Sequence, residues 1–364
     1  MSAPLLIIAA GGTGGHMFPA QALAEQVLSR GWRVKLSTDD RGLRYAGGFP
    51  EDVPKRALSA ATFARGSIEA KIAAPFRIGW GIIEAARWFA YDPPSVVAGF
   101  GGYPALPALA AGLYHKLPRL IHEQNGVLGR VNKLFSTRVD AVTCGVFPVV
   151  NAPDGAELID MGNPIRDSVA EAMSTPYAPL SDGDINLLIF GGSQGASVFA
   201  ELIPAALATL PEAFRRRLRI TQQVRPVELA AVSAIYKTAG VEAELAPFFD
   251  DLPRRIANSQ LVISRSGAST VSELTAIGRP SILVPYPSAM DDHQTANARP
   301  LADAGAAICA PEAGLTGEAL AGHIRAILDA PDRAADMAAK ARALGRPDAG
   351  ARLADLVESL AEKA

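Results

Sequence analysis

Cysteine is scarce: Cys144 and Cys309 are the only two in 364 residues. They lie in separate apolar runs without Cys-x-x-Cys spacing, which leaves no framework for disulfides or structural zinc and fits a reducing cytosol. A charge bias is missing too. With 35 Lys and Arg against 37 Asp and Glu, the net charge is -2, so no global field recruits nucleic acid and any pull on phosphate or membrane must be local. The start of the chain lacks a basic stretch leading into an apolar one, so the protein is expected on the cytoplasmic side. Residues 95–114 carry no charge over the length of a membrane span, but Gly99, Gly101, Gly102, Pro104 and Pro107 break any single helix there. Strand, glycine loop and buried helix is the expectation. Metal spacing is also absent. The one Asp-x-Asp, Asp182-Gly183-Asp184, precedes a strand instead of following it, and Asp250-Asp251 and Asp291-Asp292 are adjacent pairs whose side chains diverge. No metal or other cofactor is expected.

What the chain does have is a repeated opening. Leu5 to Ala10 (LLIIAA) runs straight into Gly11 to Pro19 (GGTGGHMFP), and Ala22, Leu23 and Val27 then recur at helical spacing before Gly31. A strand that stops at paired glycines and restarts as a helix leaves backbone N–H groups free, a seat for an anion. Pro19 fits the first turn of that helix. His16 is the titratable group in the turn; the positive end of a helix favours neutral imidazole, the form that can take a proton from a hydroxyl. The spacing is neither the dinucleotide Gly-x-Gly-x-x-Gly nor a P-loop, and a tight turn with His16 as a solvated cap explains it equally well. The pattern returns, however, where Ile185 to Phe190 (INLLIF) meets Gly191 to Ala196 (GGSQGA).

The length suits two domains, and the apolar runs divide that way. Leu5–Ala10, Val34–Ser37, Ser95–Ala98, Arg119–Ile121, Ala141–Cys144 and Leu158–Met161 are answered by Ile185–Phe190, Leu218–Gln222, Val241–Leu245, Leu261–Ser264, Ile282–Pro285 and Ala306–Ala310. Helical patterns or Gly/Pro turns separate most of them, the rhythm of βαβ units in parallel sheets. The fold class is therefore α/β, with two Rossmann-like doubly wound lobes facing across a cleft. Residues 1–163 form the first and 164–346 the second, joined near the turn-rich Ser174 to Asp184; a helix from about Pro347 to Ala364 is a candidate to cross back to the first lobe.

Four further loops at strand ends carry polar groups. Gly99 to Pro104 (GFGGYP) is a third glycine turn. His122-Glu123-Gln124-Asn125 follows a strand with four hydrogen-bonding side chains, costly in a core and natural for binding a sugar. Ser264 to Glu273 (SRSGASTVSE) turns at Gly267 into a helix whose N–H groups suit a diphosphate, with Glu273 placed to accept a ribose diol; a capped helix with a solvated Glu273 is the other reading. Asp291-Asp292-His293-Gln294 follows a strand and is placed to meet sugar hydroxyls. Arg166 and Arg265 are the cations available to a diphosphate, though Arg265 also reads as a surface residue. Finally, Pro75 to Trp88 is helical with Phe76, Trp80, Ile83 and Arg87 on one face and Ile78, Ile82 and Phe89 nearly opposite. Arg65, Lys71, Arg77 and Arg87 outnumber Glu69 and Glu84 around it, as an interfacial helix on anionic lipid requires; a helix covered on both sides or in a dimer contact has the same pattern.

Taken together, GGTGGH at Gly11, GGYP at Gly101, HEQN at His122, GNPIR at Gly162, GGSQGA at Gly191, FFDD at Phe248, SRSGASTVSE at Ser264 and HQTANA at His293 resemble the MurG family of bacterial glycosyltransferases over nearly the whole chain. The resemblance implies a GT-B fold and inverting transfer of N-acetylglucosamine from UDP-N-acetylglucosamine (UDP-GlcNAc) to the 4-hydroxyl of lipid I, undecaprenyl-diphospho-muramoyl-pentapeptide, giving lipid II and UDP. By resemblance, Thr13, Gly14, Gly15, Asn125, Arg166 and Ser193 line the donor, and the backbone at Phe249 meets its uracil. Ala268, Ser269, Thr270, Val271, Ser272 and Glu273 hold diphosphate and ribose, and Gln294 the sugar hydroxyls. His16 and the turn at Gly101, Gly102 and Tyr103 face the acceptor diphosphate, while Phe76, Trp80, Arg77 and Arg87 meet the anionic membrane. His16 is the candidate base, with Glu123 or His122 as alternatives. The family's setting implies a peripheral place on the cytoplasmic face of the inner membrane, with cell-wall synthesis and division proteins as partners and no nucleic acid. A UDP-GlcNAc 2-epimerase and a non-catalytic nucleotide-sugar-binding subunit use similar lobes and are the competing readings.

Overall fold

The computed structural model describes residues 3–12, 14–60, 68–181, 183–192 and 195–363, leaving aside the side chains of 68–72. The chain divides into two compact units, Met1–Arg166 with Pro347–Ala364, and Asp167–Arg346. The division falls directly after Arg166, the last residue of GNPIR.

The first unit holds a seven-stranded sheet of β1 (Leu5–Ala9), β2 (Arg33–Thr38), β3 (Lys55–Ala57), β4 (Val96–Gly99), β5 (Arg119–Glu123), β6 (Ala141–Cys144) and β7 (Leu158–Asp160), in the order β3-β2-β1-β4-β5-β6-β7. All its pairings are parallel. Strand β1 is apolar throughout because both sheet faces are covered. Leu6 and Ile8 point into one core, with Met17, Leu23 and Val27 of the Gly14–Ser29 helix and Leu353, Val357 and Leu360 of the Ala349–Glu362 helix. Leu5, Ile7 and Ala9 point into the other, with Ala85, Trp88 and Phe89 of the Ile68–Tyr91 helix and Leu109 of the Leu106–Tyr114 helix. The terminal helix is tied down by polar contacts as well: Arg30 pairs with Asp355 and Glu358, both at 2.7 Å.

The second unit repeats the plan with β8 (Ile185–Phe190), β9 (Leu218–Gln223), β10 (Glu242–Ala246), β11 (Leu261–Ser264), β12 (Ser281–Leu283) and β13 (Ala307–Cys309), ordered β10-β9-β8-β11-β12-β13 and again parallel. In each sheet the strand order reverses at the glycine-turn strand: β1 lies between β2 and β4, and β8 between β9 and β11. Loops leaving such a pair diverge to opposite faces and open a crevice at the C-terminal strand ends. The site residues collect there.

Two elements depart from expectation. Strand β3, with the sequence Lys-Arg-Ala and no buried residue, lies on an edge where backbone pairing to Leu36, Ser37 and Thr38 makes the strand without an apolar run. The first helix begins at Gly14, so Pro19 sits inside it and not in its first turn. A proline there has no N–H for the i−4 carbonyl, and burial of Met17, Ala20, Leu23 and Val27 outweighs the lost bond.

Candidate functional site

In the first unit three strand ends converge. A Cβ on Gly11, after β1, would fall 2.7 Å from the Pro104 ring that follows β4, so only glycine allows these turns to touch. His16, half-buried, occupies the first turn of its helix and places Nδ1 2.8 Å from Gln124 Oε1, just after β5. Its ring edge lies along the turn at Gly101 and Gly102, where φ is +86° and +74°. Tyr103 is half-buried beside that turn, and Gly15 is exposed while Gly14 is buried. Arg166 stacks its guanidinium over the Phe18 ring, 4.5 Å from the centroid. Thr13 lies outside the described residues.

The HEQN stretch corrects its sequence reading. His122, Glu123 and Gln124 are buried and satisfied by the protein; Asn125 keeps partial exposure. Glu123 Oε1 accepts from the backbone N–H and side-chain amide of Asn125 at 3.0 and 3.1 Å, and Oε2 from Gly129 N–H and Asn132 Nδ2, each at 2.8 Å. Both oxygens are thus engaged. His122 Nε2 donates to Asn163 Oδ1 at 3.0 Å, because the Asn163 amide gives its N–H to the Gln124 carbonyl. Its Nδ1 lies 2.9 Å from the Thr143 hydroxyl, and burial lowers its pKa to about 4. Neither residue offers a free basic atom, since a polar group taken from water must find partners and these found them inside.

In the second unit the Ala268–Ile277 helix starts at Gly267 with no side-chain cap, so the first N–H groups, at Ala268, Ser269 and Thr270, stay open to an anion. Ala268 and Val271 are buried, and Ser269, Thr270 and Ser272 half-buried. Glu273 is buried in the second turn. The loop after β12 is latched to this turn: Ser266 donates its hydroxyl to the Gln294 carbonyl at 2.8 Å, and Asn297 Nδ2 to the Ser266 carbonyl at 3.0 Å. Gln294 Oε1 accepts from Tyr286 N–H at 2.9 Å, which leaves its NH2 group without a partner among the described residues. Phe249 is buried under the Arg255 guanidinium, 4.3 Å from its centroid. Ser193 lies outside the described residues.

Arg265 is not an available cation, nor a surface residue. Its guanidinium is buried, donates to the carbonyls of Val284 and Pro285 at 3.1 Å, and pairs with Glu312 at 2.5 Å. It braces the loop behind the helix start. Sequence reasoning also passed over Gln223, at the end of β9. Its Oε1 accepts from Gly191 N–H (2.9 Å) and its Nε2 donates to the carbonyls of Gly192 (3.0 Å) and Pro247 (3.1 Å). One amide thereby clamps the glycine turn to the segment bearing Phe249, and nothing local in the sequence marks it. Among the described residues no group of three or more His, Cys, Asp or Glu could hold a metal ion.

Comparison with known proteins agrees across the chain. The glycosyltransferase family 28 N-terminal domain matches residues 6–144, and the glycosyltransferase family 28 C-terminal domain matches residues 186–355. A protein of Chelativorans sp. (strain BNC1) named UDP-N-acetylglucosamine--N-acetylmuramyl-(pentapeptide) pyrophosphoryl-undecaprenol N-acetylglucosamine transferase is 47% identical over 362 residues, 99% of this chain and 96% of its own. One of the same name from Mesorhizobium japonicum is 47% identical over 364 residues, covering 100% and 97%. The crystal structure of Acinetobacter baumannii MurG superposes with a TM-score of 0.81 at 31% identity, covering 98% of this chain and 99% of that one.

Proposed function

The chain belongs to glycosyltransferase family 28 and, within it, to the MurG transferases; from that membership we propose how its residues carry the reaction. It transfers N-acetylglucosamine from UDP-GlcNAc to lipid I in peptidoglycan synthesis. The full-length match to transferases named for that reaction carries this conclusion and favours it over an epimerase or a non-catalytic binding subunit.

The step is a single inverting displacement. The muramoyl 4-hydroxyl oxygen bonds to the anomeric carbon as the carbon–oxygen bond to UDP breaks, and its electron pair leaves on the diphosphate. The sugar passes through an oxocarbenium-like state. His16 takes the hydroxyl proton on Nε2. It is supported as the base over Glu123 and His122 because both of those are saturated by buried partners. The N-terminus of the Ala268–Ile277 helix stabilises the departing diphosphate by its open N–H groups and dipole, with no metal ion. Glu273 accepts the ribose diol, the NH2 of Gln294 meets the sugar, and the backbone at Phe249 meets the uracil. Gly14, Gly15, Asn125 and Arg166, with Thr13 and Ser193, complete the donor contacts, and the turn at Gly101 to Tyr103 receives the acceptor diphosphate.

Among the described residues no helix is long and apolar enough to cross a membrane. The Ile68–Tyr91 helix exposes Phe76 (79%), Trp80 (53%) and Ile83 (45%), with Arg77 and Arg87 also exposed. That face seats the protein peripherally on the anionic cytoplasmic leaflet, where lipid I and cell-wall synthesis and division proteins meet it. UDP release from UDP-GlcNAc, followed with and without a lipid I analogue, tests the assignment: release must depend on the analogue. Acceptor-independent turnover of UDP-GlcNAc would establish an epimerase or hydrolase instead.

A further inference from the structure

A histidine acts as a base through the nitrogen that lacks a proton, and a neutral ring has one such nitrogen. Which one is free in His16 is decided by Gln124. The two ends of the Gln124 amide are chemically distinct, and its surroundings tell them apart. Nε2 stands 3.0 Å from the backbone carbonyl of His122, an acceptor that only an N–H can satisfy. Turning the amide over would set two acceptor oxygens against each other at a side chain buried from solvent. Oε1 therefore faces His16 Nδ1, 2.8 Å away. A carbonyl oxygen has no proton to give, so the hydrogen in that bond belongs to Nδ1.

The rest of the network holds Gln124 still. Its own carbonyl accepts from Asn163 Nδ2 at 3.0 Å, and Asn163 Oδ1 in turn accepts from His122 Nε2. On the opposite side of the imidazole, a Cβ on Gly101 would stand 3.4 Å from Cε1 and one on Gly102 3.7 Å from Cδ2, the two carbons that flank Nε2. Glycine at both positions adds no side chain of its own at that edge, and Nε2 has no partner among the described residues.

We infer that Gln124 is a positioning residue, which locks His16 as the Nδ1–H tautomer and so presents Nε2, unprotonated, to the acceptor hydroxyl. The part of this that concerns turnover rests on the reading of His16 as the base. Loss of the Oε1 acceptor frees the ring to carry its proton on Nε2, the wrong nitrogen for the reaction.

Long-range proton–nitrogen NMR of the full-length protein near pH 8, with the His16 signals assigned by their loss in His16→Ala, reads the tautomer without reference to activity. The wild type is expected to show a protonated Nδ1 and a bare Nε2. Gln124→Met, similar in length but unable to accept, loses that preference, and Gln124→Glu, which keeps an oxygen facing Nδ1, retains it. In assays with a lipid I analogue, Gln124→Met lowers kcat by about 10- to 100-fold with KM for UDP-GlcNAc within about twofold. A protonated Nε2 in the wild type, or an unchanged tautomer in Gln124→Met, overturns the inference even if a variant proves poorly folded. If His16→Ala abolishes turnover while Gln124→Met shifts the tautomer and keeps full kcat, the positioning role fails alone. If His16→Ala itself keeps turnover, the base assignment falls and the tautomer lock stands.

Discussion

His122 Nε2 donates to Asn163 Oδ1 across 3.0 Å at a depth where the imidazole is 0% exposed. Burial holds the ring neutral, with a pKa of about 4 in the fold against about 6.5 in an unfolded chain. Between those values the unfolded state binds more protons, so stability is full above about pH 6.5 and falls as the pH drops toward 4, by at most about 1.4 kcal/mol per pH unit from this group. Urea denaturation from pH 7 to pH 4 should lose most of that slope in His122→Gln. An equal slope in wild type and variant would mean that the imidazole is not buried neutral.

Glu123 and His16 separate structure from chemistry. Glu123→Gln replaces a carboxylate oxygen by an NH2 that must face N–H donors, and should cost about 1–3 kcal/mol of stability while the folded fraction turns over at near wild-type kcat. His16→Ala should lower kcat about 100- to 10,000-fold and leave UDP-GlcNAc affinity nearly unchanged. Steady-state kinetics beside equilibrium unfolding decide it: the reverse pattern would make Glu123 the base.

Glu273→Ala should weaken UDP-GlcNAc binding by about 10- to 100-fold, the loss of charge-assisted hydrogen bonds to a diol. Calorimetric titration with UDP-GlcNAc and with a 2′,3′-dideoxy analogue checks the cause, since the variant should no longer distinguish the two. Undiminished nucleotide affinity would remove Glu273 from the ribose.

Phe76→Ser with Trp80→Ser should reduce binding to phosphatidylglycerol-rich vesicles at least about tenfold, with turnover of a water-soluble acceptor analogue intact. Flotation of wild type and variant at several salt concentrations measures it. Identical partitioning would assign that helix face to a protein contact.

By itself the amino-acid order determined the local units and their repetition. An apolar run closing on paired glycines before a helical pattern is a nearest-neighbour property, and β1, β8 and the turns after them follow from it. The edge strand β3 did not show, because its pairing comes from a neighbouring backbone and its own side chains are exposed. Within the site, spacing picked out the His16 turn, the open start of the Ala268–Ile277 helix and the HEQN stretch, yet it could not say which polar atoms stay free. Tertiary structure decided that. Glu123 and His122 are consumed by Asn132, Gly129, Asn163 and Thr143, Arg265 by Glu312 and two carbonyls, and His16 is left with one nitrogen engaged by Gln124. A hydrogen bond needs its partners within about 3 Å, and residues as far apart in the chain as His16 and Gln124 meet at that distance only once the sheet has set β1 and β5 at either side of β4.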